Sequence, residues 1–177
     1  MVHAAPEIAG GAAPRPLQAR FDELMLLLGR LNYTWTNTES LLIHLIAGLA
    51  RVEKDTAVVI FLTLNATRGR LDLVERLAKA ERVPVEERAR VLSVTGALGR
   101  LSGLRNRFNH CIYSVDTDSG GMQSILMRIS DRKDGIRMGQ VTDLGEAGLV
   151  KIRAATEELS ALNNEIWALV FDFDYPR

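Results

Sequence analysis

In one short run, Arg105-Asn106-Arg107-Phe108-Asn109-His110, the chain sets guanidinium, carboxamide and imidazole groups side by side. An imidazole titrates near neutral pH and can take up or release a proton, and a guanidinium is a fixed cation able to grip phosphate oxygens through two bonds. The run lies near the end of a helical pattern in which Val91, Val94, Leu98, Leu101, Phe108 and Ile112 recur in three- and four-residue steps. Arg105 fills the missing place in that seam, so its guanidinium points toward the core, where a charge is costly unless paired. It needs an acidic partner, a bound anion or a wet interface, and Glu39 on the first helix is the favoured carboxylate. On that reading Arg105→Ala breaks a buried ion pair.

At about 100° per residue, Asn106 and His110 stand one turn apart on a flank shared with Gly96, Gly99 and Gly103. A glycine costs roughly 1 kcal/mol relative to alanine inside a helix, so three on one flank suit the close approach of another backbone. That neighbour is either a helix of the same bundle or the same helix of a second subunit. A purely structural reading stands beside the chemical one: Arg105 bridges helices through a carboxylate, and His110 closes the C-terminal end of its helix, where the dipole favours a cation.

Other chemistry finds little support. Cys111 adjoins His110, but neighbouring helical residues point about 100° apart, so the two do not make a dyad and the cysteine reads as core. His44 lies among Leu42, Ile43 and Leu45 and reads as a packed helix residue, while His3 belongs to the N-terminal tail. Three scattered histidines without matching acidic spacing argue against a zinc site, and no cofactor is implied. The turns around Asp116–Gly121 and Asp131–Gly135 lack the ligand spacing of a calcium loop. No phosphate-cradling glycine loop, dinucleotide fingerprint or serine-hydrolase elbow is present.

The 177 residues suit one domain, and the 22 basic and 22 acidic side chains cancel, so any contact with nucleic acid must rest on a local patch. A single cysteine excludes an internal disulfide framework and fits a reducing cytoplasm. Residues 1–16 read as a flexible tail and 17–177 as one helical domain. The apolar stretches 41–50 and 57–64 are too short to span a bilayer, so no membrane partner is expected.

The fold class follows from periodicity: mainly α, a four-to-five-helix up-and-down bundle with a small β-hairpin between the last two long helices. Phe21, Leu24, Leu28, Leu31, Trp35, Leu42, Leu45 and Leu49 mark one long helix or two collinear ones, with a break plausible at the capping-box string Thr36-Asn37-Thr38-Glu39. A second helix starts near Asp55 or Thr56 and is interrupted around 65–69. Pro84 suits the first turn of the helix that carries the motif, with Glu86 and Glu87 where the dipole favours acids. Ile125, Met127 and Ile129, then Ile136 and Met138, alternate about an Asp134-Gly135 turn. Thr142 or Asp143 caps a last helix carrying Leu149, Ile152, Leu159, Leu162, Ile166, Leu169 and Phe173.

Arg105, Asn106 and His110 resemble the Arg-x(4–6)-His motif of the HEPN superfamily of helical-bundle proteins, in which a polar residue usually follows the arginine. Leu104-Arg105-Asn106-Arg107-Phe108-Asn109-His110 looks like the RN-x-x-x-H versions of small bacterial members, as does Trp35 with Glu39 and Leu42 on the first helix. Cys111 stands where glycine commonly follows the histidine, and Tyr113 where an aromatic often lies. The resemblance implies a homodimer that juxtaposes two motifs and cleaves RNA without metal. A ribose 2′-hydroxyl would attack the adjacent phosphate, with His110 handling a proton, Arg105 stabilising developing charge and Asn106 orienting the substrate. Arg100 and Arg107 would add contacts to the RNA backbone, and Glu39 would support Arg105. A toxin–antitoxin or defence role, with a cognate inhibitor or antitoxin as partner, goes with that reading. The competing class is a non-catalytic helical dimerisation or interaction module.

Overall fold

A computed structural model of the chain describes residues 17–115 and 121–177; positions 1–16, read above as a tail, and 116–120, read as part of a loop, lie outside the described residues. The fold is mainly helical with a small antiparallel sheet. Its elements are α1 (Leu17–Ser40), α2 (Leu42–Ala50), α3 (Lys54–Thr63), α4 (Thr67–Ala78), α5 (Val85–Asn109), β1 (Cys111–Val115), β2 (Met122–Arg132), β3 (Gly135–Asp143) and α6 (Glu146–Asp172). No helix among the described residues is long and apolar enough to cross a membrane.

The core follows the helical seams. Leu24, Leu31, Trp35, Leu42 and Leu45 of α1 and α2 are buried, as are Leu149, Ile152, Leu159, Leu162, Ile166 and Leu169 of α6. Each fully buried side chain of this size contributes roughly 1.5–3 kcal/mol, so the two seams together hold the bundle. α1 packs along α6, while α5 lies between α4 and α6 and also touches α1.

The break in the first rod falls at Leu41, later than the expected position. Thr38 does not act as a cap. Its side chain is buried inside α1, donates to the Thr34 carbonyl at 2.8 Å and accepts from Asn163 of α6 at 3.2 Å. The interruption between α3 and α4 lies at residues 64–66, close to where composition placed it. Pro84 stands just before α5, with Glu86 and Glu87 in the first turn.

The hairpin gains a third strand. β1 pairs antiparallel with β2, Ile112 opposite Ile125, and β2 pairs with β3, Ile125 opposite Val141. Ile112, expected as the last residue of the helical seam, is instead half exposed on the outer face of the sheet. The alternation explains why: Met122, Ser124 and Leu144 on the other face are buried, and Tyr113 packs against the same core. Gly135 opens β3 with φ +152°, a conformation open to glycine, so the Asp-Gly turn is where the sequence put it. The last helix begins at Glu146 rather than at Thr142 or Asp143, because β3 runs on to Asp143.

Beyond α6 the chain folds back on α2. The Tyr175 hydroxyl donates to Glu87, its backbone N–H donates to the Val170 carbonyl at 2.9 Å, and its ring fills the notch left by Gly48. A Cβ at position 48 would fall inside that ring. Gly48→Ala is therefore expected to destabilise the fold by about 1–3 kcal/mol in urea melts, and Tyr175→Ala in the same chain should absorb most of the clash.

Burial first, then the hydrogen bond to Glu87 and that carboxylate's charge, push the Tyr175 hydroxyl far above the ordinary tyrosine range. The folded state thus holds the proton that the unfolded chain loses near pH 10. Stability from this group is full below about pH 10 and declines as pH rises beyond it. Tyr175→Phe should flatten the alkaline limb of a stability–pH curve, and an unchanged limb would show that the hydroxyl is not held neutral.

Candidate functional site

The motif occupies the C-terminal turns of α5, and its residues divide between two faces. Five residues at about 100° each rotate His110 by about 140° from Arg105. Arg105 accordingly turns toward α1 and is half buried, whereas Asn106, Arg107 and His110 are exposed.

Arg105 does not meet Glu39. Its Nε donates to Asn32 Oδ1 at 3.3 Å and its Nη1 to Asn106 Oδ1 at 3.1 Å, while the guanidinium carbon lies 5.7 Å from the centre of the Trp35 ring. Asn109, one turn beyond Arg105, lies against the same amide: it donates to Asn32 Oδ1 at 2.7 Å and accepts from Asn32 Nδ2 at 3.0 Å. With the Asn109 amide turned over, its oxygen accepts instead from Arg105 Nε at 2.7 Å and Nη2 at 3.1 Å. In either orientation an amide oxygen faces Nε, and among the described residues no carboxylate pairs with this guanidinium. Asn32 is itself anchored by donation to the Leu28 carbonyl at 3.0 Å.

Glu39 has other partners, and the offset along α1 is the reason. Arg105 crosses α1 level with Asn32, and Glu39 lies seven residues further on, about 10 Å along the axis. There its Oε2 accepts from Trp35 Nε1 at 3.2 Å, and its Oε1 accepts from Thr67 at 2.5 Å and pairs with Arg70 at 3.1 Å. Arg70 also donates to the Phe61 and Leu64 carbonyls at 3.2 and 2.9 Å and lies 3.9 Å over the Phe61 ring. The expected support of Arg105 by Glu39 is thus indirect, through the Trp35 ring.

His110 stands at the junction of helix and sheet. Its N–H donates to the Asn106 carbonyl at 3.1 Å, and its carbonyl accepts from Met127 N–H at 2.9 Å, so α5 below and β2 beside it fix the backbone. The imidazole makes no hydrogen bond among the described residues; the capping role belongs to the backbone and to Tyr113, whose hydroxyl donates to the Phe108 carbonyl at 2.7 Å. Burial first, and then the charge on Cys111, raise the Tyr113 hydroxyl above its usual range.

Cys111 is half buried at the start of β1, its thiol donating to the Arg107 carbonyl at 3.0 Å. Burial raises this thiol above its usual value in spite of the nearby Arg107 charge and a hydrogen bond with Ser124, so it is a poor nucleophile near neutrality. His44 is buried, its Nδ1 2.7 Å from the Pro176 carbonyl and its ring 5.1 Å from Trp167.

The glycine flank is open. Gly96, Gly99, Arg100, Gly103, Asn106, Arg107 and His110 are all exposed on one side of α5. An added Cβ would meet nothing within 4 Å at Gly96 or Gly103 and only an ordinary contact with Leu71 at Gly99. Close packing inside the subunit therefore does not account for these glycines. Arg100 lies in the α5–α6 groove, 4.0 Å from Glu158 across an exposed gap, so it is partly answered and Arg107 is the more available of the two.

Sequence reasoning missed Asn32 and Asn109. Asn109 follows Arg105 by one helical turn, and Asn32 precedes Trp35 on the α1 seam; both signals were present, but only the axial alignment of α1 with α5 joins them. Comparison with protein-family models, with curated proteins and with solved structures gives no match.

The buried pair and the amide-held arginine should respond differently to truncation. Glu39→Ala leaves Arg70 charged and nearly buried, an expected loss of about 3–5 kcal/mol. Arg105→Ala removes bonds to neutral, accessible amides and should cost only about 1–2 kcal/mol. Urea denaturation of both variants checks the order, and a reversed order would mean that Arg105 is the buried ionic partner after all.

Proposed function

We propose that this chain is a HEPN-like protein acting on RNA as a metal-independent endoribonuclease of a toxin or defence system, working in the cytoplasm as a homodimer, with a cognate inhibitor or antitoxin as a further partner. The observation that carries the reading is the arginine held by amides. Asn32, Asn106 and Asn109 orient the Arg105 guanidinium without neutralising it, which leaves a positioned cation for an anion such as a phosphate. The nearly buried Arg70 and the partly exposed Arg153 both end on carboxylates, whereas Arg105 ends on neutral amides.

The chemistry divides between the two faces. His110 accepts the proton of a ribose 2′-hydroxyl as its oxygen attacks the adjacent phosphorus, the bond to the 5′-oxygen breaks, and a protonated imidazole returns the proton to that leaving oxygen. Arg105 bears the charge gathering on the non-bridging oxygens. Because the two side chains leave α5 about 140° apart, one phosphate is best served by His110 of one copy and Arg105 of another. The open flank at Gly96 and Gly103 supports dimerisation through α5, with the two His110 side chains near the seam. The same flank is what favours the second reading, a non-catalytic dimerisation module.

Total RNA incubated with the purified chain in excess chelator separates the two. The first reading expects cleavage products ending in cyclic phosphate, and a loss of roughly 10²–10⁴-fold in rate for His110→Ala, the usual worth of a general acid–base group. Intact RNA beside a dimer seen in sedimentation would leave the interaction module standing and remove the nuclease.

A further inference from the structure

A second recess opens beside the motif, between the last turns of α5, the sheet and the first turn of α6, with a volume of about 330 Å³. Small-molecule sites run from about 300 to 1,000 Å³, so the recess suits one flat ring system rather than a large ligand. Leu104, Phe108 and Leu144 supply apolar walls, and Phe108 and Leu144 are themselves buried. Ser124 lines it as well; its hydroxyl is buried and reaches the Thr142 carbonyl only at a long 3.4 Å. At the rim stand one carboxylate and two cations, Asp143, Lys151 and Arg107, all exposed. Glu146 also lines the recess but pairs with Arg153 at 3.4 Å.

Arg107 connects this recess to the motif. It lies one turn before His110 on the same exposed side of α5 and also lines the cleft. A nucleotide whose phosphate rests between Arg107 and His110 would therefore carry its base to the mouth of the recess, in the way single-stranded RNA is commonly read with bases turned out of the stack.

The pattern of donors and acceptors chooses among bases. A carboxylate accepts and an ammonium donates. Guanine offers two parallel N–H donors on its Watson–Crick edge, matching the two oxygens of Asp143, and acceptors O6 and N7 suited to Lys151. Uracil offers a single N–H donor between two acceptors and would leave the carboxylate poorly answered. We infer that the α5–sheet–α6 cleft is a guanine-selective base subsite, with Asp143 reading the donor edge, Lys151 the acceptor edge, and the Leu104–Phe108–Leu144 walls holding the ring; its service to RNA cleavage rests on the nuclease reading above, its binding of the base does not.

The test reads binding without turnover. NMR titration of the full chain with the 5′-monophosphates of guanosine, adenosine, cytidine and uridine should show saturable shifts in residues 142–151, with guanosine monophosphate at least tenfold tighter than uridine monophosphate. Asp143→Asn, which converts one acceptor oxygen to a donor, should abolish that preference. Ala147→Trp, at an exposed lining position, should block all four nucleotides while circular dichroism stays unchanged, and His110→Ala, which removes a phosphate contact, should weaken all four alike and keep the preference for guanosine monophosphate. Equal affinities, no saturable binding, or a preference that survives Asp143→Asn would overturn the subsite. Guanine binding without RNA cleavage would remove the nuclease and keep the subsite, whereas cleavage without guanine binding would do the reverse.

Discussion

The Glu39 carboxylate is the constraint on which the rest of the arrangement depends. A charge buried this deeply is tolerated only when it is paired and hydrogen-bonded, and here three side chains answer it: Trp35 one turn back on α1, Thr67 at the start of α4, and Arg70 one turn further along α4. Arg70 in turn satisfies the Phe61 and Leu64 carbonyls at the end of α3, where the helix leaves such groups without partners. One carboxylate thus fixes the rotation of α1, the α3–α4 corner and the orientation of the Trp35 ring. That ring is 2% exposed and lies beneath Arg105. The site is therefore built on a floor set by an ion pair that takes no part in it.

This arrangement sorts charge by role. A cation that serves the fold, Arg70, is neutralised, because a buried uncompensated charge would cost several kcal/mol. Arg105 sits at the edge of the core, where half exposure makes its charge bearable, and neutral amides supply direction without compensation. Fixing a guanidinium with amides retains its field for a ligand, whereas fixing it with a carboxylate would consume that field. Asn32 and Asn109 do for Arg105 what a carboxylate could have done for stability alone.

Periodicity made most of the helices legible because their seams are long and regular: Leu149 to Leu169 can hardly be anything but one buried stripe, and Pro84 with Glu86 and Glu87 marks the start of α5 by local chemistry. The Asp134-Gly135 turn was legible for the same reason, since its backbone conformation favours glycine. Two things were not. The seam of α5 continues arithmetically to Ile112, yet the four-residue step from Phe108 also equals two steps of an alternating strand, and the pairing of β1 with β2 decides the matter through contacts far away in sequence. The partner of Arg105 was misplaced because a seam gives rotation about a helix and carries no information on how far one helix is slid along another. The motif residues Arg105, Asn106 and His110 were found, but the amides that orient Arg105 were not.

The sheet gives the motif its second anchor. A helix end normally frays, and a histidine just past it would be expected to wander. Here β1 begins at the very next residue, and the Met127 N–H closes on the His110 carbonyl, so the imidazole projects from a backbone held on both sides. The conversion of helix to strand at Cys111 is what makes this possible. Had the seam continued as helix through Ile112, His110 would lie inside a regular turn, the side of α5 bearing Phe108 would have no sheet to rest on, and the recess lined by Ser124 and Leu144 would not exist. The change of secondary structure that the seam concealed is the feature that shapes both the exposed imidazole and the cleft beside it.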